Sequence, residues 1–135
     1  MTATSSADLD GSIVTKLAPG SVDETVARLR NLVAERGMTV FAVFDHGGEA
    51  KRHGLDLRDT QVVVFGSPLG GTPVMQGAPL SALDLPLKVL IWDDGGQTKV
   101  SYLDPEALGR RYRLSADAAR RLAGIAPLTD VLVSS

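Results

Sequence analysis

The chain has 135 residues, 44% hydrophobic and 22% charged, with a formal net charge of -2. That is enough for one domain that buries well over half of the surface its unfolded form exposes. The scattered, nearly balanced charge excludes a field that steers polyanions or favours a membrane surface, and the lack of cysteine excludes disulfide and thiolate chemistry.

A cysteine-free chain suits a reducing compartment, and a cytoplasmic location is the expectation. Residues 1–11 are small and polar, and read as a disordered tail ahead of a single domain over residues 12–135. The tail lacks a cationic start followed by an apolar core, so no targeting leader is expected. The longest apolar runs are strand-sized, short of the roughly 20 residues that cross a bilayer.

A first strand is predicted over residues 13–17, with Ile13, Thr15 and Leu17 on one face. Ser21 then opens a helix, with Glu24 three residues on forming a capping box. Val22, Val26, Leu29 and Val33 recur at helical spacing until Arg36-Gly37 stops it. The second strand covers residues 38–44. Met38, Val40, Ala42 and Phe44 are expected on one face, and Phe41 and Val43 on the other. Asp45 can cap a short helix ending at Gly54. Thr72 is expected to cap, and Pro73 to start, a helix ending at Gly77.

Strands follow over residues 61–65, 87–92 and 97–103, the last two joined by Asp93-Asp94-Gly95-Gly96, a tight hairpin sequence. Asp104-Pro105-Glu106 starts another helix, and residues 115–122 form the last clear one. The sum is an α+β fold: a two-layer α/β sandwich, its five-stranded sheet mixed or mainly antiparallel, with helices on one face. Strands two to four are apolar on both sides, so helices on one face leave apolar side chains on the other. A homodimer packed sheet to sheet is the expected consequence, unless the later helices wrap round that face.

Phe65-Gly66-Ser67-Pro68, Gly71-Thr72-Pro73-Val74-Met75 and Leu85-Pro86-Leu87-Lys88, with Trp92 and Asp94, resemble the bacterial and archaeal family catalogued as domain of unknown function 302. Asp45-His46 and Tyr102 with Asp104-Pro105 are similar to it as well. The resemblance runs from Ile13 to the C-terminus, with Ser67 standing where the family commonly has asparagine. It implies a two-layer, dimeric α/β domain and carries no established activity.

Several side chains are candidates for chemistry. Gly70-Gly71-Thr72 after a strand could offer backbone N–H groups to a phosphate or carboxylate, although neither a Gly-Lys-Thr nor a three-glycine nucleotide motif is present. His46, at a strand's end, suits a pocket acid, base or donor. His46 and His53 would lie about 10.5 Å apart along a helix, too far to share a metal. Glu49 and His53 would supply only two ligands, so no metal site is expected. Lys88, on a face with Leu90 and Trp92, must snorkel, pair or accept a lowered pKa, and the last would suit proton transfer. Arg110, Arg111, Arg113, Arg120 and Arg121 read as a solvated helical face, with too little basic field or stacking surface for nucleic acid. Asp93-Asp94 reads as turn chemistry, because no further oxygen ligands follow at calcium-loop spacing.

Asp45, His46, Thr72, Lys88 and Tyr102 are the polar residues expected to converge on one cavity, beside Gly71 and walled by Met75 and Trp92. A small-molecule binding module follows, a sensor or carrier whose ligand can be anionic; the sequence names no cofactor. The alternatives are an enzyme using His46 and Lys88 for proton transfer on a carbonyl or anionic substrate, and a structural dimerisation domain.

Overall fold

Five strands make one sheet in the order β1-β5-β4-β3-β2, every neighbouring pair antiparallel. They are β1 (Ile13–Ala18), β2 (Thr39–Asp45), β3 (Thr60–Gly66), β4 (Leu87–Asp94) and β5 (Gln97–Leu103). The computed structural model describes residues 10–134, so most of the expected N-terminal tail lies outside the described residues. The sheet is therefore wholly antiparallel, at one end of the mixed-to-antiparallel range the sequence allowed.

The helix α1 (Val22–Glu35) carries the chain from one edge strand to the other across the sheet's face. Its capping box is complete: Glu24 N–H donates to Ser21 Oγ at 3.0 Å, and Ser21 N–H to Glu24 Oε1 at 2.8 Å. Such a cap stabilises a helix by about 1 kcal/mol. Leu29 and Val33 of α1, with Ile125, Leu128 and Leu132 of α6 (Ile125–Val133), pack on Val63, Phe65, Val89, Ile91, Val100 and Tyr102. Lys16 fastens α6 to β1. Its Nζ donates to Ala126 O at 3.0 Å and Thr129 Oγ1 at 2.7 Å, and pairs with Asp130 at 2.8 Å.

The remaining helices are α2 (His46–Arg52), α3 (Pro68–Gly77), α4 (Pro105–Tyr112) and α5 (Ala116–Leu122), with a 3-10 turn at Pro79–Leu83. Val74, Leu108 and Leu122 form a second buried cluster among α3, α4 and α5. Asp84 ties the 3-10 turn to α4, accepting from the Tyr112 hydroxyl and, at 3.0 Å, from Arg111 Nη1. The β4–β5 loop is Gly95-Gly96, both at positive φ (+61° and +98°), a conformation that only glycine adopts at low cost.

Three expectations need correction. Val40 and Val43 both pack on the core, because β2 carries an extra residue at Phe41 that shifts the alternation by one. Ala42 and Phe44 thus share the opposite face, and Phe41 is left 48% exposed. The glycine-rich helix α3 starts at Pro68, with Ser67 at the N-cap, so Thr72 caps nothing and Pro73 lies inside the helix. Residues 115–122 are not the last helix: α6 follows, burying Ile125, Leu128, Thr129 and Leu132.

Candidate functional site

A cleft of about 400 Å³ opens where the C-terminal end of β3 meets α3, the end of α1 and the start of α6. Buried Phe65, Ile125 and Leu128 form its floor; Met38, Met75, Leu85, Leu87 and Leu122 extend the apolar wall. Phe41 stands at the mouth because the extra residue in β2 turns its ring there, 3.7 Å from where a Cβ on Gly66 would lie. The volume falls within the range that encloses small organic ligands.

The polar groups are few and of one sign. Arg36 and Arg121 are the charged residues lining the cleft, beside Ser67 and Thr72. Arg121 is engaged: its Nε pairs with Asp117 Oδ2 at 3.3 Å, and its Nη1 donates to Leu69 O at 3.4 Å. Pro73 explains the second bond. Lacking an N–H, it leaves the Leu69 carbonyl without its usual helical donor, and the guanidinium of α5 supplies one. Asp117 is held below the ordinary carboxylate range chiefly by its hydrogen bond to Arg121. Arg36 closes α1 at the other side of the mouth, exposed, and its guanidinium has no ion-pair or hydrogen-bond partner among the described residues.

Gly71, Thr72 and Met75 line this cleft. They do so as one side of α3, rather than as a phosphate-cradling turn. The N–H groups of Gly70 and Gly71 are already bonded to Ser67 O at 3.0 and 2.8 Å, so these two are not free for the anion contact expected of that turn.

The other expected residues lie elsewhere. Asp45 caps α2 through a 2.9 Å bond from Gly48 N–H, and His46 stacks on Phe44 with centroids 6.4 Å apart. Lys88 is exposed on the sheet face away from the helices. In register terms Asp45 and Lys88 stand three residues along and two strands across from each other, about 10 Å in each direction. No hydrogen bond and no cleft joins His46 to Lys88, the pair on which the enzymatic alternative rests, among the described residues. Tyr102 is buried on the helix side beneath Lys16, whose Nζ is 5.3 Å from the ring centroid. Trp92 lies on the open face, donating to Ser101 Oγ at 3.0 Å. The single convergent cavity expected of these residues is absent from the described structure.

The lysine that must pair to be buried is Lys99, not Lys88. It is 5% exposed on the open face, 2.7 Å from Asp94 and 5.5 Å from the Trp92 ring centroid. Lys99 and Arg58 together hold the Asp94 carboxyl below its ordinary range, the Lys99 hydrogen bond foremost. Glu49 of α2 and His53, which caps its end, come within 3.9 Å, and no group of three or more metal-ligating side chains occurs among the described residues.

Comparison with known proteins places the chain in a family. Residues 14–128 match the family described as Domain of unknown function DUF302, and the chain belongs to it. A crystal structure of an uncharacterized conserved DUF302 protein from Bacillus stearothermophilus has the same fold, with a TM-score of 0.76 at 20% identity, covering 90% of this chain and 94% of that one. The chain is also 40% identical over 114 residues to fluoride-specific ion channel FluC 1 of Brucella suis and to FluC 1 of Brucella abortus. The match takes in 82% of this chain but 45% and 42% of those proteins. The chain thus spans less than half the length of the curated relatives it matches. No described helix is long and apolar enough to cross a membrane.

Proposed function

We propose that this domain is a small-molecule binding module whose ligand enters the cleft between β3, α3 and α6. The observation that carries the reading is a cleft of about 400 Å³ with an apolar floor and wall and a few polar groups at its mouth, the usual composition of a ligand site. That composition suits a sensor or carrier, and the absence of a cleft shared by His46 and Lys88 among the described residues supports binding over proton transfer. The fluoride channel named in the Brucella relatives belongs to proteins more than twice as long as the matched stretch, and nothing in the cleft calls for it.

Gly71 offers a clean test. It sits inside α3 without positive φ, and the nearest atom to an added Cβ is Met75 Cε at 3.9 Å. Gly71→Leu should therefore fill the cleft while leaving Tm unchanged or higher, since glycine is the poorer helix former by about 1 kcal/mol. Fluorescence titration with 8-anilinonaphthalene-1-sulfonate, an apolar dye with one anionic group, should show saturable binding that Gly71→Leu abolishes. Equal binding by both proteins would overturn the assignment of the site.

A second reading concerns assembly and rests on the uncovered sheet face. Leu17 and Phe44 are more than half exposed there, with Val62, Val64, Leu90 and Trp92 between them. The charges around Trp92 are internally paired as Lys99–Asp94–Arg58, so covering that part of the face strands no lone ion. A second copy packed sheet to sheet is the proposed occupant.

A further inference from the structure

The charge at the cleft's mouth allows the ligand class to be narrowed, given that the cleft is a ligand site at all. Two guanidinium groups and no carboxylate line it. Of the two, Arg121 is spent on Asp117 and on the carbonyl that Pro73 leaves open. Arg36, at the end of α1 and with Phe41 on the same cleft, is the one whose charge has no acidic partner among the described residues.

We infer that the cleft takes an amphiphilic monocarboxylate, its apolar body on Met38, Phe65, Met75 and Leu128 and its carboxylate at Arg36. The argument is one of complementarity. An uncharged apolar ligand would leave Arg36 without a role at the mouth, and a cationic one would meet its like charge, which no acid lining the cleft offsets. A dianion or polyanion would want several free cations, and among the described residues lining the cleft Arg36 is the one cation without an ion pair. A guanidinium matches a carboxylate with two parallel N–H···O bonds. The bulge in β2 is an independent pointer. An extra residue inserted in a strand commonly re-aims a side chain beside a site, and here it turns Phe41 out of the alternation to the cleft mouth.

The test compares decanoate, decanol and decyltrimethylammonium by equilibrium dialysis against the full chain at low salt. Decanoate should bind at least about fivefold more tightly than decanol, and the cation most weakly. Arg36→Gln should erase the decanoate advantage while leaving decanol unchanged, Arg36→Lys should keep part of it, and added salt should weaken decanoate alone. Arg36 is exposed and has no ion pair among the described residues, so these variants should fold with wild-type Tm. If decanol and decanoate bind equally, or if Arg36→Gln leaves their ratio intact, the carboxylate assignment is wrong while the cleft remains a ligand site. If none of the three binds the wild type, both readings fall together.

Discussion

Arg113 closes α4 with φ at +51°, the one non-glycine described residue in the left-handed region. Leu114 N–H reaches back to Gly109 O at 2.9 Å, so the helix end is a left-handed cap built on a side-chain-bearing residue. That conformation costs an L-residue about 1–2 kcal/mol, whereas glycine adds about 0.5–1 kcal/mol of unfolded-chain entropy. Arg113→Gly should accordingly raise stability by about 0.5 kcal/mol, read as a higher urea midpoint with an unchanged slope. A fall in the midpoint would mean that the arginine side chain contributes more than its backbone costs. Arg36 occupies the corresponding position on α1, yet its φ is an ordinary -91° and Gly37 takes the positive angle instead. Arg36 is thus free of capping strain, and nothing in its local backbone accounts for its unpaired side chain.

At the scale of elements, α4 and the 3-10 turn are joined by three side chains. The Tyr112 hydroxyl first, then Arg111, holds the Asp84 carboxyl below its ordinary range, against the opposing effect of burial; the same bond raises the Tyr112 phenol. The native state therefore keeps Asp84 ionised to lower pH than the unfolded chain does. This contribution is complete above the ordinary carboxylate value of about 4 and is lost as pH falls through the lower native one. Tyr112→Phe should cost about 1–2 kcal/mol at pH 7, and its deficit in urea unfolding should shrink as pH drops below about 4. A deficit independent of pH would show that the ring's packing, not its hydroxyl, is what matters. The elements with strong local signals were legible in the sequence: the Ser21–Glu24 box, the Gly95-Gly96 hairpin, the Asp104-Pro105 start. The helix α3 was misread because Gly70 and Gly71 look like a turn, although Pro68 already stands at its first position. The helix α6 has no capping side chain at Gly124 to announce it, and its Pro127 falls in the first turn, where an N–H has no helical partner. The site was the least legible part. Arg36 looked only like a helix stop, and no local pattern in the sequence announces that Phe41 is an extra residue.

For the whole molecule, the outcome turns on a sheet with one covered and one open face. Leu90→Asp places a charge in the middle of the open face without touching the core, since Val89 and Ile91 carry the helix side. Light scattering should find wild-type dimer and variant monomer at micromolar concentration. A wild-type monomer throughout would leave the apolar face unpartnered and end the sheet-to-sheet proposal. The extra residue at Phe41 bears on how copies can meet at all. The strand β2 is an edge, with β3 on one side and an unpaired rim of backbone donors and acceptors on the other. An unbroken rim would template another strand, and with it the runaway growth that leads to fibrils. The bulge breaks the spacing of that rim and bends it locally. The residue that turns Phe41 to the cleft therefore also spoils the nearest edge for strand addition, which leaves face-on contact as the geometry open to a second copy on that side.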